Sequence, residues 1–177
     1  MKEKFATILL IAGSGQNVGK TTLACHILQN EKEKNPLAVK ITPHFHQITE
    51  GLVEIKNGNS WALYEETCKT SNKDSSVYLQ NGAAKSYLIQ TLDSGLAEAF
   101  SELKKILPPK NPVVIESAAL INIIQPGLFI LVLPAGNRVE KKIQPLLNYA
   151  NLIIKSDGKQ FSPAPETIIF ENLWRLK

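Results

Sequence analysis

A glycine-rich loop at residues 13–22, GSGQNVGKTT, is the segment whose residue types and spacing most clearly indicate chemistry. It follows an apolar run and precedes a helix-like segment, an arrangement in which backbone N–H groups bind anions. Lys20 would reach the β- and γ-phosphates of a nucleotide, and the Thr21 hydroxyl would hold Mg²⁺. The residues predicted to contact the nucleotide are Gly13, Ser14, Gly15, Gln16, Asn17, Val18, Gly19, Lys20, Thr21 and Thr22.

The loop is one residue longer than the usual phosphate-binding pattern, G-x-x-x-x-G-K-[ST]. Counting back from Gly19, the first glycine of that pattern would fall at position 14, which is Ser14. The glycine is instead Gly13, one position earlier. Because strand, glycines and helix still fall in register, the sequence favours a longer phosphate-binding loop over an ordinary strand–helix turn.

Three charged residues follow or end other apolar runs, where ligands bind in parallel sheets. Lys40 ends a predicted strand, so its ammonium either meets an anion or extends to solvent. Asp74 either caps a helix or faces Mg²⁺. Glu116 ends a buried run, where a carboxylate would hold Mg²⁺ through water or activate a nucleophile. The predicted catalytic residues are Lys20, Lys40 and Glu116, and the predicted Mg²⁺ residues are Thr21, Asp74 and Glu116.

Two further features have weaker signals. His44 and His46 are two residues apart in a predicted loop, so substrate contact, metal binding and a plain loop all remain open. Lys155 and Asp157 have the Lys-x-Asp spacing with which GTPases read guanine, so Asp157 is a predicted base contact. The preceding Ile154 departs from that motif, and an Asp-Gly turn is the alternative.

Strands separated by helices predict a mostly parallel sheet with helices on both faces, in a single domain over residues 1–177. Residues 48–67 break this alternation, because Asn57-Gly58 lies between two strand-like runs and predicts an antiparallel hairpin at a sheet edge. Residues 138–149 are predicted to be helical in part, and residues 173–176 to form a helical end. The expected fold is a three-layer P-loop NTPase with that edge hairpin.

Composition limits the classes of partner. The chain has 177 residues, of which 44% are hydrophobic, and a net charge of +4, which mildly favours anionic ligands. Scattered lysines and 7% aromatic residues argue against nucleic-acid binding. No apolar run approaches the roughly 18 residues that a membrane span needs. Cys25 and Cys68 form no disulfide framework, so the cytoplasm is the expected compartment.

Several of these features together resemble the molybdopterin-guanine dinucleotide biosynthesis adaptor family (MobB-type). They are the glycine loop, Lys40 with the two histidines, and the NKDS stretch at 72–75 before LQNGA at 79–83. Glu116 falls where that family has Glu-Gly, although Ser117 replaces the glycine here. The resemblance implies GTP binding with slow hydrolysis, and a partner protein in cofactor synthesis.

The loop length is instead similar to that of dethiobiotin synthetase, whose loop runs G-T-x-x-x-V-G-K-T. Lys40 and Glu116 match a lysine and a glutamate of that family, although Ile41 and Thr42 separate Lys40 from Pro43. This resemblance implies an enzyme that uses Mg-ATP to close a ring through a carbamate and an acyl-phosphate. The two resemblances agree on a phosphate site and disagree on the substrate.

Three hypotheses follow. The first is a Mg²⁺-dependent protein that binds ATP or GTP and acts as a slow NTPase adaptor in cofactor biosynthesis; slow turnover is expected because Arg138 and Arg175 are the only arginines. The second is an ATP-dependent ligase or kinase-like enzyme with a small-molecule substrate. The third is a non-catalytic nucleotide-binding scaffold whose predicted hairpin pairs edge to edge in a homodimer.

Overall fold

The apolar run near the start of the chain forms the central strand, β1 (Glu3–Gly13), of a nine-stranded mixed sheet. The computed structural model describes residues 2–136 and 143–177. Residues 8–12 of β1 are buried because the strand has a parallel neighbour on each side and packed layers on both faces. The predicted helical region 138–149 lies partly outside the described residues, and its described part contains one short helix.

The described residues form eleven strands and four α-helices. The remaining strands are β2 (Leu37–Thr42), β3 (Leu52–Gly58), β4 (Trp61–Glu66), β5 (Lys85–Thr91), β6 (Val113–Glu116), β7 (Ile124–Pro134), β8 (Leu152–Ser156), β9 (Phe161–Ser162), β10 (Ile168–Phe170) and β11 (Trp174–Leu176). The helices are α1 (Lys20–Asn30), α2 (Asp74–Gln80), α3 (Leu96–Ile106) and α4 (Gln144–Leu147). The sheet order is β3-β4-β5-β2-β6-β1-β7-β8-β9, with β5 through β8 in that order all parallel.

Alternate residues of β1 enter two separate cores, one on each face of the sheet. Ile8 and Leu10 pack in the core that contains the buried stripe of α3, with α4 at its margin. Leu9 and Ile11 pack in the core that contains α1, Tyr78 of α2 and the β10–β11 pair. The predicted α/β architecture, a mostly parallel sheet covered on both faces, is confirmed.

The predicted edge hairpin is also confirmed, but its turn is two residues later than expected. β3 and β4 pair antiparallel, and the register places Gly58 opposite Trp61, so Asn59 and Ser60 form the turn. Gly58 leaves space for the Trp61 side chain, because a Cβ there would lie 2.3 Å from the indole nitrogen. The prediction that Asn57-Gly58 is the turn was wrong because it ignored the space that a buried tryptophan needs.

The predicted helical end at residues 173–176 is wrong, because β11 pairs antiparallel with β10 there. Asn172, with φ 64°, reverses the chain in the left-handed region that asparagine tolerates. The Trp174 indole then packs edge-on against Phe170 and donates a hydrogen bond to the Thr7 carbonyl, 2.8 Å away. Burying this tryptophan against the sheet favours a strand pair over a helix.

The sheet order brings the carboxyl ends of β2, β6 and β1 side by side. The register pairs Glu116 with Lys40 on one side and with Ile11 on the other. The loop that follows β1 therefore begins next to both charged residues. In the described part of the chain, no helix is long and apolar enough to cross a membrane.

Candidate functional site

Two glycines of the loop after β1 occupy positions that a larger residue would disrupt. A Cβ on Gly13 would lie 2.7 Å from the Val18 side chain and 2.8 Å from the Lys20 stem. Gly19 has φ 93°, and a Cβ there would lie 2.6 Å from the Ser156 hydroxyl. Backbone strain and close approach therefore explain both glycines of the lengthened motif.

Helix α1 begins at Lys20, directly after the left-handed Gly19, and its first closed turn is the bond from Leu23 N–H to the Gly19 carbonyl. The Lys20 ammonium donates a hydrogen bond to the Gly15 carbonyl at 2.7 Å, so the side chain folds back across the loop. Ser14 lies deeper, with its N–H bonded to the Val132 carbonyl. The structure therefore places Ser14 against β7, and its buried hydroxyl has no hydrogen-bond partner among the described residues.

Two carboxylates from distant parts of the chain converge on Thr21, the second residue of α1. The Thr21 hydroxyl lies 3.0 Å from Glu116 Oε2 and 3.3 Å from Asp74 Oδ1. A hydroxyl has a single proton, so it can donate fully to only one of these oxygens at a time. The structure thus brings together the three residues that the sequence assigned to Mg²⁺.

Lys40 links the same two carboxylates from the β2 side. Its ammonium lies 2.6 Å from Glu116 Oε1 and 2.8 Å from Asp74 Oδ2. Burial disfavours the charged lysine, but the attraction and hydrogen bonds of Glu116 and Asp74 outweigh it and raise the Lys40 pKa. Lys40 therefore pairs with two carboxylates of the chain itself, and its role toward a ligand anion stays a prediction.

Asp74 does not cap α2, which overturns one of its two predicted roles. The helix has Lys73 at its N-cap and no side-chain capping bond, and Asp74 is its first helical residue. Both Asp74 oxygens instead face Thr21 and Lys40. The attraction of the lysine ammonium outweighs a local cap, so the carboxylate turns toward the glycine loop.

Tyr78 is a member of this cluster that the sequence analysis missed. It is 1% exposed, and its hydroxyl donates to Glu116 Oε2 at 2.7 Å. Burial, followed by the nearby charge of Glu116, raises the Tyr78 pKa well above its usual value, so the hydroxyl stays a donor. A signal was present, because Tyr78 follows Asp74 by four residues and i, i+4 positions share one face of a helix.

These residues line one open cavity, called here the loop cleft, with a volume of about 470 Å³. Its walls come from the loop, the start of α1, the carboxylate cluster and the segment after β8. The lining residues are Gln16, Asn17, Gly19, Lys20, Thr21, Thr22, Lys40, Asp74, Glu116 and Gly158. Gly13 and Gly15 border an adjoining cavity, which shares Lys20, Lys40 and Glu116 with the loop cleft. The residues predicted to bind the nucleotide or Mg²⁺, or to act in catalysis, therefore surround these two cavities, except for Ser14, Val18 and Asp157.

Val18 and Asp157 border a neighbouring cavity of about 510 Å³, together with Gln16 and Asn17. Asp157 Oδ1 accepts hydrogen bonds from the N–H groups of Gln160 and Lys159, at 2.7 and 2.9 Å. These two bonds lower the Asp157 pKa and keep the carboxylate ionised. The predicted Asp-Gly turn is thus present, and the same residue also borders a cavity next to the glycine loop.

The two loop histidines lie on different sides of Lys40. His44 borders the cavity beside Gly13, whereas His46 borders a separate pocket, and their ring centroids are 6.0 Å apart. Within residues 2–136 and 143–177, no group of three or more His, Cys, Asp or Glu side chains is placed to hold a metal ion. The structure therefore gives no support to the predicted metal role of the histidine pair.

The oxygen ligands around Thr21 fit Mg²⁺. Two carboxylates carry a charge of −2 against the single positive charge of Lys40, and together with the Thr21 hydroxyl they present only hard oxygen donors. Mg²⁺ usually takes one or two carboxylates and completes its shell with waters and substrate phosphates, so a third protein carboxylate is not required.

Comparisons of this chain with models of protein families, with curated proteins and with solved structures found no match.

Proposed function

We propose that this chain is a Mg²⁺-dependent nucleoside-triphosphate-binding protein of the P-loop NTPase type, with slow hydrolysis. The observation that carries the proposal is the convergence at Thr21. Thr21, which follows Gly19-Lys20 in the glycine loop, has its hydroxyl within hydrogen-bonding distance of Asp74 and Glu116, which come from separate segments of the chain. A phosphate loop and an oxygen site for Mg²⁺ side by side are what a Mg-nucleotide requires.

Five residues in and beside the cleft have a definite task in this proposal. Lys20, now bonded to the Gly15 carbonyl, would turn to the β- and γ-phosphates and balance their charge. Thr21, Asp74 and Glu116 would hold Mg²⁺, which neutralises developing phosphate charge when bound. Tyr78 fixes the orientation of Glu116. Hydrolysis would consist of in-line attack by water on the γ-phosphorus, with the nucleoside diphosphate as leaving group.

Slow intrinsic turnover is expected under this proposal because the chain has only two arginines, Arg138 and Arg175. Arg175 lies on β11 and pairs with Glu171, on the exposed surface of the β10–β11 pair. Arg138 lies outside the described residues. No arginine lines the loop cleft in the described part of the chain, and this proposal assigns the charge that an arginine would contribute in the transition state to a partner protein or a second copy. This need for a partner agrees with the adaptor role in cofactor biosynthesis that the first resemblance implies.

The proposal is tested by thermal-shift titration with ATP, GTP and their non-hydrolysable analogues, with and without Mg²⁺. A ligand that binds the folded state raises stability by RT ln(1 + [L]/Kd). Stabilisation should require Mg²⁺ and should be lost in Lys20→Ala. Lys32→Ala is the matched control, because Lys32 lies in the exposed turn after α1, away from the cleft. No stabilisation by either nucleotide would contradict the proposal.

The choice of base is a second readout of the same titration. Asp157 borders the cavity next to Gln16 and Asn17, where a base attached to phosphates in the loop cleft would fit. Asp157 Oδ1 is engaged in its turn, so Oδ2 would accept from guanine N1–H and the 2-amino group. A preference for GTP that Asp157→Ala removes supports this role, whereas a preference for ATP assigns Asp157 to the turn alone.

The second candidate function is an ATP-dependent ligase or kinase-like enzyme, as the dethiobiotin-synthetase-like loop implies. The favouring observation is a separate pocket on the far side of Lys40 and Asp74, next to the expected γ-phosphate position. A screen of small molecules for faster release of ADP tests this candidate. If no compound accelerates ADP release and Lys40→Ala retains full hydrolysis, the ligase proposal fails.

The third candidate is a nucleotide-binding scaffold that dimerises through β3. This strand forms one edge of the sheet and exposes Val53 and Ile55, at 55% and 40%. Such an edge can pair with a second copy. Light scattering on Val53→Lys tests it: a wild-type dimer that becomes monomeric supports the scaffold, and a monomeric wild type contradicts it.

A further inference from the structure

A second pocket, called here the outer pocket, lies on the opposite side of Lys40 and Asp74 from the glycine loop. Its volume is about 260 Å³. The carboxyl ends of β2 and β5, the segment 46–52 and the start of α2 form its walls, and no residue of the loop 13–22 borders it. Lys40 and Asp74 line both this pocket and the loop cleft.

The charges that line the outer pocket favour an anion. Lys40 and Lys73 contribute two positive charges and Asp74 one negative charge to the lining. Asp74 and Glu116 both pair with Lys40, so Lys73 is the lining charge that no carboxylate of the described residues offsets. Both Asp74 oxygens are already engaged, by Thr21 and Lys40. Lys73 forms no ion pair with any side chain in residues 2–136 and 143–177. Its ammonium is therefore the group available to pair with an incoming negative charge.

The uncharged lining adds hydrogen-bonding groups and one apolar wall. Gln90 is 2% exposed, and its amide nitrogen donates to the His46 carbonyl at 3.3 Å, which fixes the segment that covers the pocket. Its amide oxygen accepts no hydrogen bond from the described residues, so it offers an acceptor to a ligand. Thr42 and Thr49 add hydroxyls, and Leu52 and Leu88 add apolar surface.

We propose that the outer pocket binds a small organic carboxylate. Lys73 would pair with the carboxylate, and Gln90 would accept from a hydroxyl or amino group on the same molecule. A volume of about 260 Å³ falls slightly below the usual range of about 300–1,000 Å³ for ligand pockets, which suits a molecule of a few carbons. This site goes beyond the proposed nucleotide function and depends on it only for what occupies the neighbouring cleft.

The two sites are coupled through the wall that they share. Any nucleotide complex that draws Mg²⁺ to Asp74 changes the partners of Lys40, and Lys40 also faces the outer pocket. Carboxylate affinity should therefore differ between the nucleotide-free and nucleotide-bound protein. By linkage, nucleotide affinity changes by the same factor when the carboxylate is bound.

The test is isothermal titration of the full chain with succinate and with L-glutamate, each with and without a saturating non-hydrolysable nucleotide and Mg²⁺. We expect at least one to bind, and Lys73→Gln to weaken it about tenfold, as expected for loss of one charge-assisted contact. Lys69→Gln is the matched control, because Lys69 is an exposed lysine four residues before Lys73 that does not line the pocket. Its affinity should stay within about twofold of wild type.

Inorganic phosphate is the third titrant, because it separates carboxylate recognition from binding of any small anion. Phosphate binding that depends on Lys73, without binding of either carboxylate, would overturn the proposed ligand class. Absence of all binding, or binding unaffected by Lys73→Gln, would overturn the site. These failures are distinct from failure of the nucleotide proposal, which is read from the nucleotide titration of the same wild-type sample and its loss in Lys20→Ala.

Discussion

The loop cleft and the outer pocket share Lys40 and Asp74, yet the chain builds them differently. Most of the loop cleft comes from one continuous segment, the glycine loop and the first turn of α1. The outer pocket is assembled from four separated segments, at 40–42, 46–52, 72–75 and 88–90. The loop cleft is therefore formed mostly by a local sequence motif. The outer pocket forms only because the sheet order brings together residues that are far apart in the sequence.

The two cavities also differ in how their charges are balanced. The lining of the loop cleft contains two lysines, Lys20 and Lys40, and two carboxylates, Asp74 and Glu116, so its charges balance. Both carboxylates approach the Thr21 hydroxyl, and these oxygen donors suit a cation such as Mg²⁺. In the outer pocket the lysines outnumber the single carboxylate, which favours an anion. Lys40 lies between them, so substitutions on either side should separate the functions of the two cavities.

Glu116→Ala should have the largest effect and should damage the loop cleft more than the outer pocket, because Glu116 lines only the former. The substitution removes hydrogen bonds to Lys40, Thr21 and Tyr78, and leaves a largely buried ammonium with one partner. Breaking a buried ion pair by removing one partner costs about 3 kcal/mol, so the free energy of unfolding in urea should fall by about that amount.

Glu98→Ala is the control for this change, because Glu98 is an exposed residue on α3 and should alter stability by less than about 0.5 kcal/mol. Mg-nucleotide binding should be lost in Glu116→Ala. Carboxylate binding in the outer pocket should persist, with an affinity that shifts only through Lys40, which lines that pocket and loses one of its two carboxylate partners. Equal stability of the two variants would mean that the carboxylate cluster contributes nothing to folding.

Gly19→Ala should have the next largest effect and should lower the free energy of unfolding by about 2 kcal/mol, because it combines backbone strain with a close contact. Gly19 and Gly158 have nearly the same φ, 93° and 95°. A Cβ on Gly19 meets the Ser156 hydroxyl at 2.6 Å, whereas a Cβ on Gly158 meets nothing within 4 Å. Gly158→Ala should therefore lower the free energy of unfolding by about 1 kcal/mol through backbone strain alone. The difference between the losses in Gly19→Ala and Gly158→Ala measures the cost of the close contact with Ser156.

A double variant checks this separation. Ser156→Ala removes the hydroxyl that a Cβ on residue 19 would meet, so it should recover part of the loss in Gly19→Ala. Melting temperatures of the single and double variants, with Gly158→Ala beside them, give the measurement. If Gly19→Ala and Gly158→Ala lose the same stability, close packing of the loop against β8 has no energetic role.

The difference in construction explains how much could be predicted from the sequence. The strand–loop–helix order and the hairpin were predictable, because each depends on residues that are near in sequence. The proximity of Glu116 to the glycine loop was predictable, because β6 and β1 are parallel neighbours that end at one edge of the sheet. The position of Asp74 beside them was left open, because a helix cap was the alternative. The outer pocket was not predictable, because its walls meet only when β5 lies beside β2, and that strand order depends on tertiary packing.

The errors have the same origin. Asn57-Gly58 is a strong turn signal, but the buried indole of Trp61 needs Gly58 within the strand, which shifts the turn to Asn59-Ser60. Asp74 has the residue type of a helix cap, but Lys40 attracts its carboxylate. In both cases a contact made in the folded structure outweighed the local preference. Gly58 meets Trp61 across the hairpin, and Asp74 meets Lys40 of β2.

Tyr78→Phe should have a smaller effect and should tune the cleft without altering its shape. The substitution removes one hydrogen bond to Glu116 and keeps the buried ring. A hydrogen bond to a charged group contributes about 1.5 kcal/mol, so the urea midpoint should fall accordingly. Tyr149→Phe, at an exposed position, is the matched control. Because Tyr78 orients Glu116, the variant should also weaken Mg²⁺-dependent nucleotide binding, and unchanged binding would show that this orientation is unimportant.

The two cysteines give the mildest test, because Cys25 lies on the side of the loop cleft and Cys68 on the side of the outer pocket. Cys25 is buried on α1 beneath the loop cleft, and burial raises its pKa to about 12 from 9.0. Cys68 follows β4 on the side of the outer pocket, and a hydrogen bond with the Thr70 hydroxyl lowers its pKa. At pH 8 a thiol reagent should therefore label Cys68 quickly, and Cys25 should have a thiolate fraction lower by about 1,000-fold than an ordinary thiol.

Stability at high pH should follow the same difference. Above pH 9.0 the unfolded chain releases the Cys25 proton, whereas the folded chain retains it until about pH 12. The unfolded state then binds fewer protons, so the free energy of unfolding falls as pH rises through this window. Cys25→Ala should make the decline shallower and Cys68→Ala should not, as measured by urea unfolding at pH 8, 9 and 10. Rapid labelling of both cysteines in the folded protein would mean that α1 opens beneath the loop cleft, and the rigidity assumed for that cleft would then be wrong.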